Sequence, residues 1–482
     1  MKKLKELRVE RGLKQKEVAD FLNISQQVYA GYENTDRIPK ADILEKLSSF
    51  FGVSYSNLLD DNNETPKTIT EFLETSYTAF HAVLNVKKIL DNNGFIRLYE
   101  HKKADIKKGG KYYITKNSSA IIAFKVGTLE NYSFNIAGSH TDSPSLKIKG
   151  DSLIDSPEGK RINIEKYGGS IYYSFLDIPL RIAGRVEIKD KDEIKTEIIT
   201  SKFNVNIPSL CIHHNPTVND NLCLNIQNDM LPLLRSDKPL YKLLSDKEII
   251  DGDLFCVPDV KPYYSGANQD LLVSPRIDNL TSVYSSLMAL INSNPKGVAV
   301  MAAFDNEEIG SSTKQGADSV FLIDVLKYIN SSLGFSDDEF RKAISNGFNL
   351  SIDNGHAVHP AHPEKSDIDN KVYLNNGVVI KHHVNYSTDS LSSAIIKTIL
   401  EKHNIKYQEY YNRSDVRCGS TIGLTTSKNL AMNTADIGLA QLAMHSGIET
   451  VGKDDIKRME DLITHFFNTV IILKEEDTYE IK

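Results

Sequence analysis

Nowhere in the sequence do roughly eighteen apolar residues run together, so no segment is expected to cross a membrane as a helix. The opening residues MKKLKELRVE read as the start of an amphipathic helix, not as the apolar centre of a secretory leader. Cysteine is scarce: Cys211, Cys223, Cys256 and Cys418 stand alone, with no C-x-x-C pair. That argues against a thiolate zinc site and points to a reduced, cytoplasmic setting. Charge of one sign is lacking too. A formal net charge of -7 over 482 residues suggests no polyanion partner for the chain as a whole. There is no internal repeat and no low-complexity tract. What remains has the composition of a soluble globular protein, long enough for about two to four domains.

Residues 1–60 carry dense helix signals. Leu4, Leu7 and Arg8 begin an amphipathic turn that Gly12 ends, and KQKEVADFL follows with Val18, Ala19 and Leu22 at helical spacing. Ser25 is placed to cap a third helix, SQQVYAGYE, and ILEKLSSFFGV predicts a later one. With Leu7, Arg8, Gly12, Gln15, Val18, Ala19, Ile24, Ser25, Tyr32 and Glu33 in these places, the segment resembles the Cro- and phage-repressor-type helix-turn-helix family. The resemblance implies DNA as a partner, with Gln26, Gln27 and Tyr29 of the third helix as base-reading candidates. Against it, residues 1–60 hold ten basic and nine acidic residues, and the third helix has no Lys or Arg, so little charge is available for phosphates. The bland alternative is a solvated interaction module. Residues 61–68 are polar and read as a linker.

From residue 69 onward, short apolar runs alternate with helical stretches. TITEFLETSYTAFHAVLNVKKILDNNGF predicts one long helix ending at Gly94. SAIIAFKVG, YSFNIAGSH, VAVMAAF, FNLSID and NLAMNTADIG predict buried strands. The pattern predicts an α/β domain with a central, covered sheet, in residues 69–144 and 263–482. Residues 145–262, with runs such as LRIAGRVEIKD, predict a β-rich inserted subdomain.

Candidate ligands gather where apolar runs stop. They are His140 and Asp142 in GSHTDSP, Asp278 in SPRIDNL, Asp305, Glu307 and Glu308 in FDNEEIG, Asp353, His356 and His359 in SIDNGHAVHP, and His445 in AMHSGIE. A single such residue is usually a cap or a solvated loop group; five such places in one domain point to a metal. Imidazole and carboxylate without thiolate suit zinc, with cobalt or manganese as alternatives. One of two adjacent glutamates can bind a metal while its neighbour takes a proton from water, and two metals require a bridging carboxylate, for which Asp278 is a candidate.

GSHTDSP, YGGS, RIAGRV, SPRIDNL, FDNEEIGSSTKQGADS, HAVHP, GVVIK, RSDVRCGSTIG and AMHSGIE occur in family order, and together they resemble the aspartyl aminopeptidase family of zinc metallopeptidases from residue 70 onward. The resemblance implies a di-metal peptidase domain with an inserted dimerisation subdomain, two Zn2+ per subunit, peptide substrates trimmed at the N-terminus, and a homo-oligomer such as a tetrahedral dodecamer. By resemblance, His140, Asp278, Glu308, Asp353 and His445 are metal ligands, with Asp278 bridging. Glu307 is the general base acting on a metal-activated water, and Asp142 orients the ligand histidine. By the same resemblance, His213 in the insert corresponds to a histidine linked to the active site of its own or a neighbouring subunit, with a metal-ligand role or an interface role. His356, His359 and Lys381 are candidate substrate contacts. The stretch after VVIK reads HHVNYST, without the arginine family members carry there, so an acidic N-terminal preference is not implied. The rival reading is a DNA-binding transcriptional regulator that uses the peptidase-like body for oligomerisation or sensing.

Overall fold

A computed structural model describes residues 2–34, 39–51, 65–476 and 478–482, in two compact units, Met1–Thr65 and Pro66–Lys482. The expected linker lies partly outside the described residues, at 61–64.

Among the described residues the first unit has four helices: α1 (Lys2–Glu10), α2 (Gln15–Leu22), α3 (Gln26–Asn34) and α4 (Ala41–Phe51). Ser25 caps α3, its hydroxyl accepting from the Val28 amide at 3.3 Å. Helical periodicity turns Leu4, Leu7, Val18, Ala19, Leu22, Tyr29, Leu44 and Leu47 into one core. Arg8 clamps Glu33 through two hydrogen bonds of 2.6 and 3.0 Å, and Gln15 adds a third at 2.8 Å. These residues of the helix-turn-helix pattern therefore hold the module together internally.

In the second unit a nine-stranded mixed sheet runs in the order β1 (Ile96–Arg97), β2 (Lys111–Lys116), β3 (Ala120–Val126), β12 (Val298–Phe304), β4 (Phe134–His140), β13 (Phe348–Ile352), β17 (Thr434–Gly438), β15 (Val378–His382), β16 (Tyr407–Tyr411). The alternation of side chains in these apolar strands fills two layers. On one face Ile121, Ala123, Ala137, Met301 and Leu350 meet the helices Ile277–Asn292 and Lys453–Asn468 through Leu280, Leu287, Met459 and Phe466. On the other, Ile122, Phe124, Phe134, Ile136 and Val300 meet the helix Phe321–Ser332 through Val325 and Ile329. A smaller sheet carries β11 (Leu271–Ser274), β14 (Gly355–His356), β18 (Ala440–Leu442) and β19 (Glu449–Gly452). Between β4 and the helix starting at Ile277, a five-stranded antiparallel sheet forms from β5 (Ser145–Ser156), β6 (Gly159–Tyr167), β7 (Leu180–Asp190), β8 (Glu193–Val205) and β9 (Ile249–Pro258), with its own core of Leu146, Ile164, Ile182 and Leu254.

The single long helix expected over 68–94 is broken in two, Ile69–Thr75 and Ala79–Asn92. Asn85 braces the break, donating to the hydroxyls of Thr75 and Ser76 at 2.9 and 3.0 Å. Hydroxyl residues at 75, 76 and 78 offer local partners that compete with the helix.

Candidate metal centre

Three neighbouring parallel strands, β12, β4 and β13, end side by side: Phe304 lies opposite His140, and Ser351 opposite Gly138. The chain leaving each end supplies Glu307 and Glu308, His140, and Asp353. Strand ends at one edge of an α/β sheet are where such folds place their ligands. Asp278 comes from the first turn of the helix beginning at Ile277, and His445, with φ of 66°, from the loop after β18.

Asp278 occupies the centre. Its Oδ1 lies 3.5 Å from His140 Nε2, which in turn is 3.6 Å from Asp353 Oδ1. Its Oδ2 lies 3.5 Å from His445 Nε2, which is 3.5 Å from Glu308 Oε2. These separations exceed good hydrogen-bond lengths. They match the spacing of two ligands on one tetrahedral cation whose bonds are about 2.0–2.2 Å. Asp278 Oδ1 and Glu308 Oε1 are buried and make no hydrogen bond among the described residues. Two imidazoles and three carboxylates converge here, two of the carboxylate oxygens buried and without a partner among the described residues, and such a donor set fits zinc. His140, Asp353 and Asp278 Oδ1 make one candidate set, and His445, Glu308 and Asp278 Oδ2 the other.

The electrostatics follow from crowding. Burial raises the Glu307 carboxyl to about 8, with Asp353, Asp142 and Asp278 adding to the rise against the opposing effect of His140. Burial, then Asp278, pushes Glu308 well up. For His140, burial works against the charged form, yet Asp142, Asp278 and Asp353 outweigh it and raise its pKa.

Asp142 differs in detail from its expected role. The nearest acceptor to His140 Nδ1 is the Asp142 backbone carbonyl at 3.0 Å, with the carboxylate at 3.4 Å. The carboxylate instead accepts from the amides of Glu307 and Glu308, at 3.1 and 3.2 Å. It thus fixes both the histidine and the glutamate loop. Sequence reading missed Glu449. Buried at 2% exposure, it accepts from the Asp278 amide at 3.0 Å and the His445 amide at 2.7 Å. Its place in AMHSGIE beside a ligand was the available signal.

The remaining candidates separate. His356 lines a cleft of about 270 Å3 with His359, Arg413, Arg417 and Met444. Burial, then Lys381 and His445, lowers its pKa, and Asp278 and Asp353 are near enough to oppose the fall. His359 is exposed, its Nδ1 accepting from the Ala361 amide at 3.2 Å. Lys381 is buried, and its Nζ donates to the carbonyls of Asp353 and Asn354 at 3.2 and 3.0 Å, with the Asp353 carboxylate at 3.7 Å. The apolar strand VVIKH carries it inward, where it braces the loop that bears Asp353. His213 lies exposed on the segment between β8 and β9, and no hydrogen bond or ion pair among the described residues joins it to the cluster. Tyr29 is fully buried in the first unit, so it is a core residue and not a base reader, whereas Gln26 and Gln27 are exposed on α3. A second cavity, of about 450 Å3, reaches Asp142, Tyr167 and Asn306 but none of the five ligands.

Fold and cluster together define a metallopeptidase. A family model described as aminopeptidase I zinc metalloprotease (M18) matches residues 72–467, and a helix-turn-helix model matches residues 4–58. A protein of Clostridium novyi described as a probable M18 family aminopeptidase 2 is 41% identical over 83% of this chain and 98% of its own length. A probable aspartyl aminopeptidase of Ricinus communis is 30% identical, over 86% of this chain and 97% of its own. Among solved structures, a chain of the Ape4 and Nbr1 complex is 31% identical with a TM-score of 0.78, covering 83% of this chain and 84% of that one. The S. cerevisiae mApe1 dodecamer is 26% identical with a TM-score of 0.71, covering 83% and 95%. The chain belongs to the M18 family of zinc aminopeptidases, hydrolases acting on peptide bonds.

Proposed function

We propose that the protein removes the N-terminal residue of peptides with Glu307 as general base, at a pair of zinc ions that His140, Asp278, Glu308, Asp353 and His445 would hold. The observation that carries this is the two-sided placement of Asp278, each oxygen facing a different imidazole at 3.5 Å. When bound, the zinc pair polarises the scissile carbonyl and lowers the pKa of an attacking water. Glu307 follows Asn306, whose φ of 63° turns the chain sharply, and Asp142 pins its amide. Its carboxylate takes the proton from water and delivers it to the leaving amine nitrogen. The same nitrogen and oxygen donors also suit cobalt or manganese. E307Q should keep two zinc ions by elemental analysis while kcat on aminoacyl-anilides falls by about 10³-fold or more. Full activity in E307Q would remove the base assignment. Chelated wild type on the same panel separates enzyme from platform and reads the preferred N-terminal residue.

Self-assembly is part of the proposal. The mApe1 neighbour is described as a dodecamer, and Leu210, Ile212 and Leu222 of the insert are 60%, 53% and 41% exposed here, beside His213. DNA binding through the first unit rests on the helix-turn-helix match and on exposed Gln26 and Gln27. A gel shift with randomised duplexes that selects no sequence would remove it.

A further inference from the structure

The insert reaches into the catalytic loop through one side chain. Tyr167 is the last residue of β6, and its ring is 7% exposed, packed edge-on against Phe255 of β9 at 5.4 Å. Its hydroxyl donates to Asp142 Oδ2 at 2.8 Å and accepts from Asn306 Nδ2 at 2.8 Å. Asn306 Oδ1 in turn accepts from Thr313 Oγ1 at 2.8 Å and Gln315 Nε2 at 2.7 Å. Every donor in this series points the same way, from the loop after Glu308 through Asn306 and Tyr167 to the carboxylate that holds the Glu307 and Glu308 amides. A connected, partly buried series of this kind polarises cooperatively and fixes its members. Burial, then the charges of Asp142 and Asp305, raises the phenol pKa far above its ordinary value, so the hydroxyl stays a donor. Removing it leaves Asn306 Nδ2 without its acceptor and frees the Asp142 oxygen that steadies Glu308.

We propose that Tyr167, with Asn306, is a positioning residue through which the inserted subdomain sets the placement of the Glu307 carboxylate. The inference rests on Glu307 being the base. Tyr167 touches neither a ligand side chain nor Glu307 itself; its effect passes through Asp142.

The test is a double-mutant cycle on the zinc-loaded full chain, with a neutral aminoacyl-anilide as substrate. Y167F should lower kcat about 10- to 100-fold, the range that small misplacement of a catalytic group costs. KM should stay within about twofold, and zinc content should be unchanged. N306G, which keeps the left-handed backbone, should cost a similar factor. Y167F/N306G should cost little more than either alone, since both break one series. I182V, a core truncation elsewhere in the insert, should lower the melting temperature and leave kcat intact. The inference is overturned if Y167F keeps full kcat, if the two losses multiply, if I182V lowers kcat as much, or if zinc loss accounts for the fall. An active E307Q would sink the base assignment whatever Tyr167 does. An inactive E307Q beside a fully active Y167F would sink only the positioning role.

Discussion

Single residues in this site act through the backbone as much as through their side chains. Glu449 shows it best, because its two oxygens hold the amides of Asp278 and His445, two of the ligand candidates. Partners that orient ligands commonly change metal affinity by about 10- to 100-fold when lost. E449Q should therefore release zinc to a chelator at roughly that much lower chelator concentration, read by a zinc-sensitive dye, while circular dichroism stays unchanged. Unaltered zinc retention would show that Asp278 and His445 need no such brace. The five ligand candidates were legible in the sequence as a set because each is an imidazole or carboxylate beside the end of an apolar run or in a tight turn, and the fold gathers them. Glu449 and Tyr167 were not, since a glutamate near a loop reads as solvated and a strand tyrosine reads as packing. Tyr29 was misread for a different reason: two residues beyond the exposed Gln27 the helix has turned by about 200°, which carries the tyrosine to the core face.

At the scale of elements, the junction of helix and insert carries a pH-sensitive stability term. His81, on the helix Ala79–Asn92, hydrogen-bonds Thr78 Oγ1 at 2.9 Å and Thr200 Oγ1 of β8 at 3.0 Å. Burial, then Arg276 and Lys88, pushes its pKa down to about 3 from 6.5. The unfolded chain takes up a proton below about pH 6.5 and the folded one does not, so the contribution is present above that pH and fades as pH falls towards 3. Each unit of pH is worth about 1.4 kcal/mol. Between pH 7 and pH 5 the wild type should lose about 2 kcal/mol more stability than H81Q by urea unfolding. Parallel losses in the two proteins would mean that His81 is protonated inside the fold. The strands themselves were plain in the sequence, because runs such as AIIAFKV and VAVMAAF fill both faces of a covered sheet. The break at residues 76–78 was not, because SYT offers no glycine or proline and only tertiary partners such as Asn85 reveal it.

For the whole molecule, bound zinc and bound protons offset the same buried negative charge. In the chelated protein Glu307 and Glu449 are raised to about 8 and Asp305 to about 7, in each case first by burial. Raised carboxyls bind more protons folded than unfolded between roughly pH 4.5 and 8, so the metal-free fold weakens as pH rises through that window. The gain in melting temperature on adding zinc should accordingly be larger at pH 8 than at pH 6, and a pH-independent gain would contradict the placement of these acids. The two units invite a last test. The first has its own core of Leu4, Leu7, Val18, Leu22, Tyr29 and Leu47, and the second closes its sheet, its insert and all five ligand candidates within residues 66–482. A chain has the means to fold alone when its apolar faces are covered by its own residues. Residues 66–482 expressed alone should therefore bind two zinc ions and turn over aminoacyl-anilides with kcat within about twofold of the full chain. Any sequence-selective DNA retention should disappear with the first 65 residues. If the shortened chain folds and binds zinc but is inactive, the helix-turn-helix unit acts on the peptidase, and the two cannot be independent modules on one polypeptide.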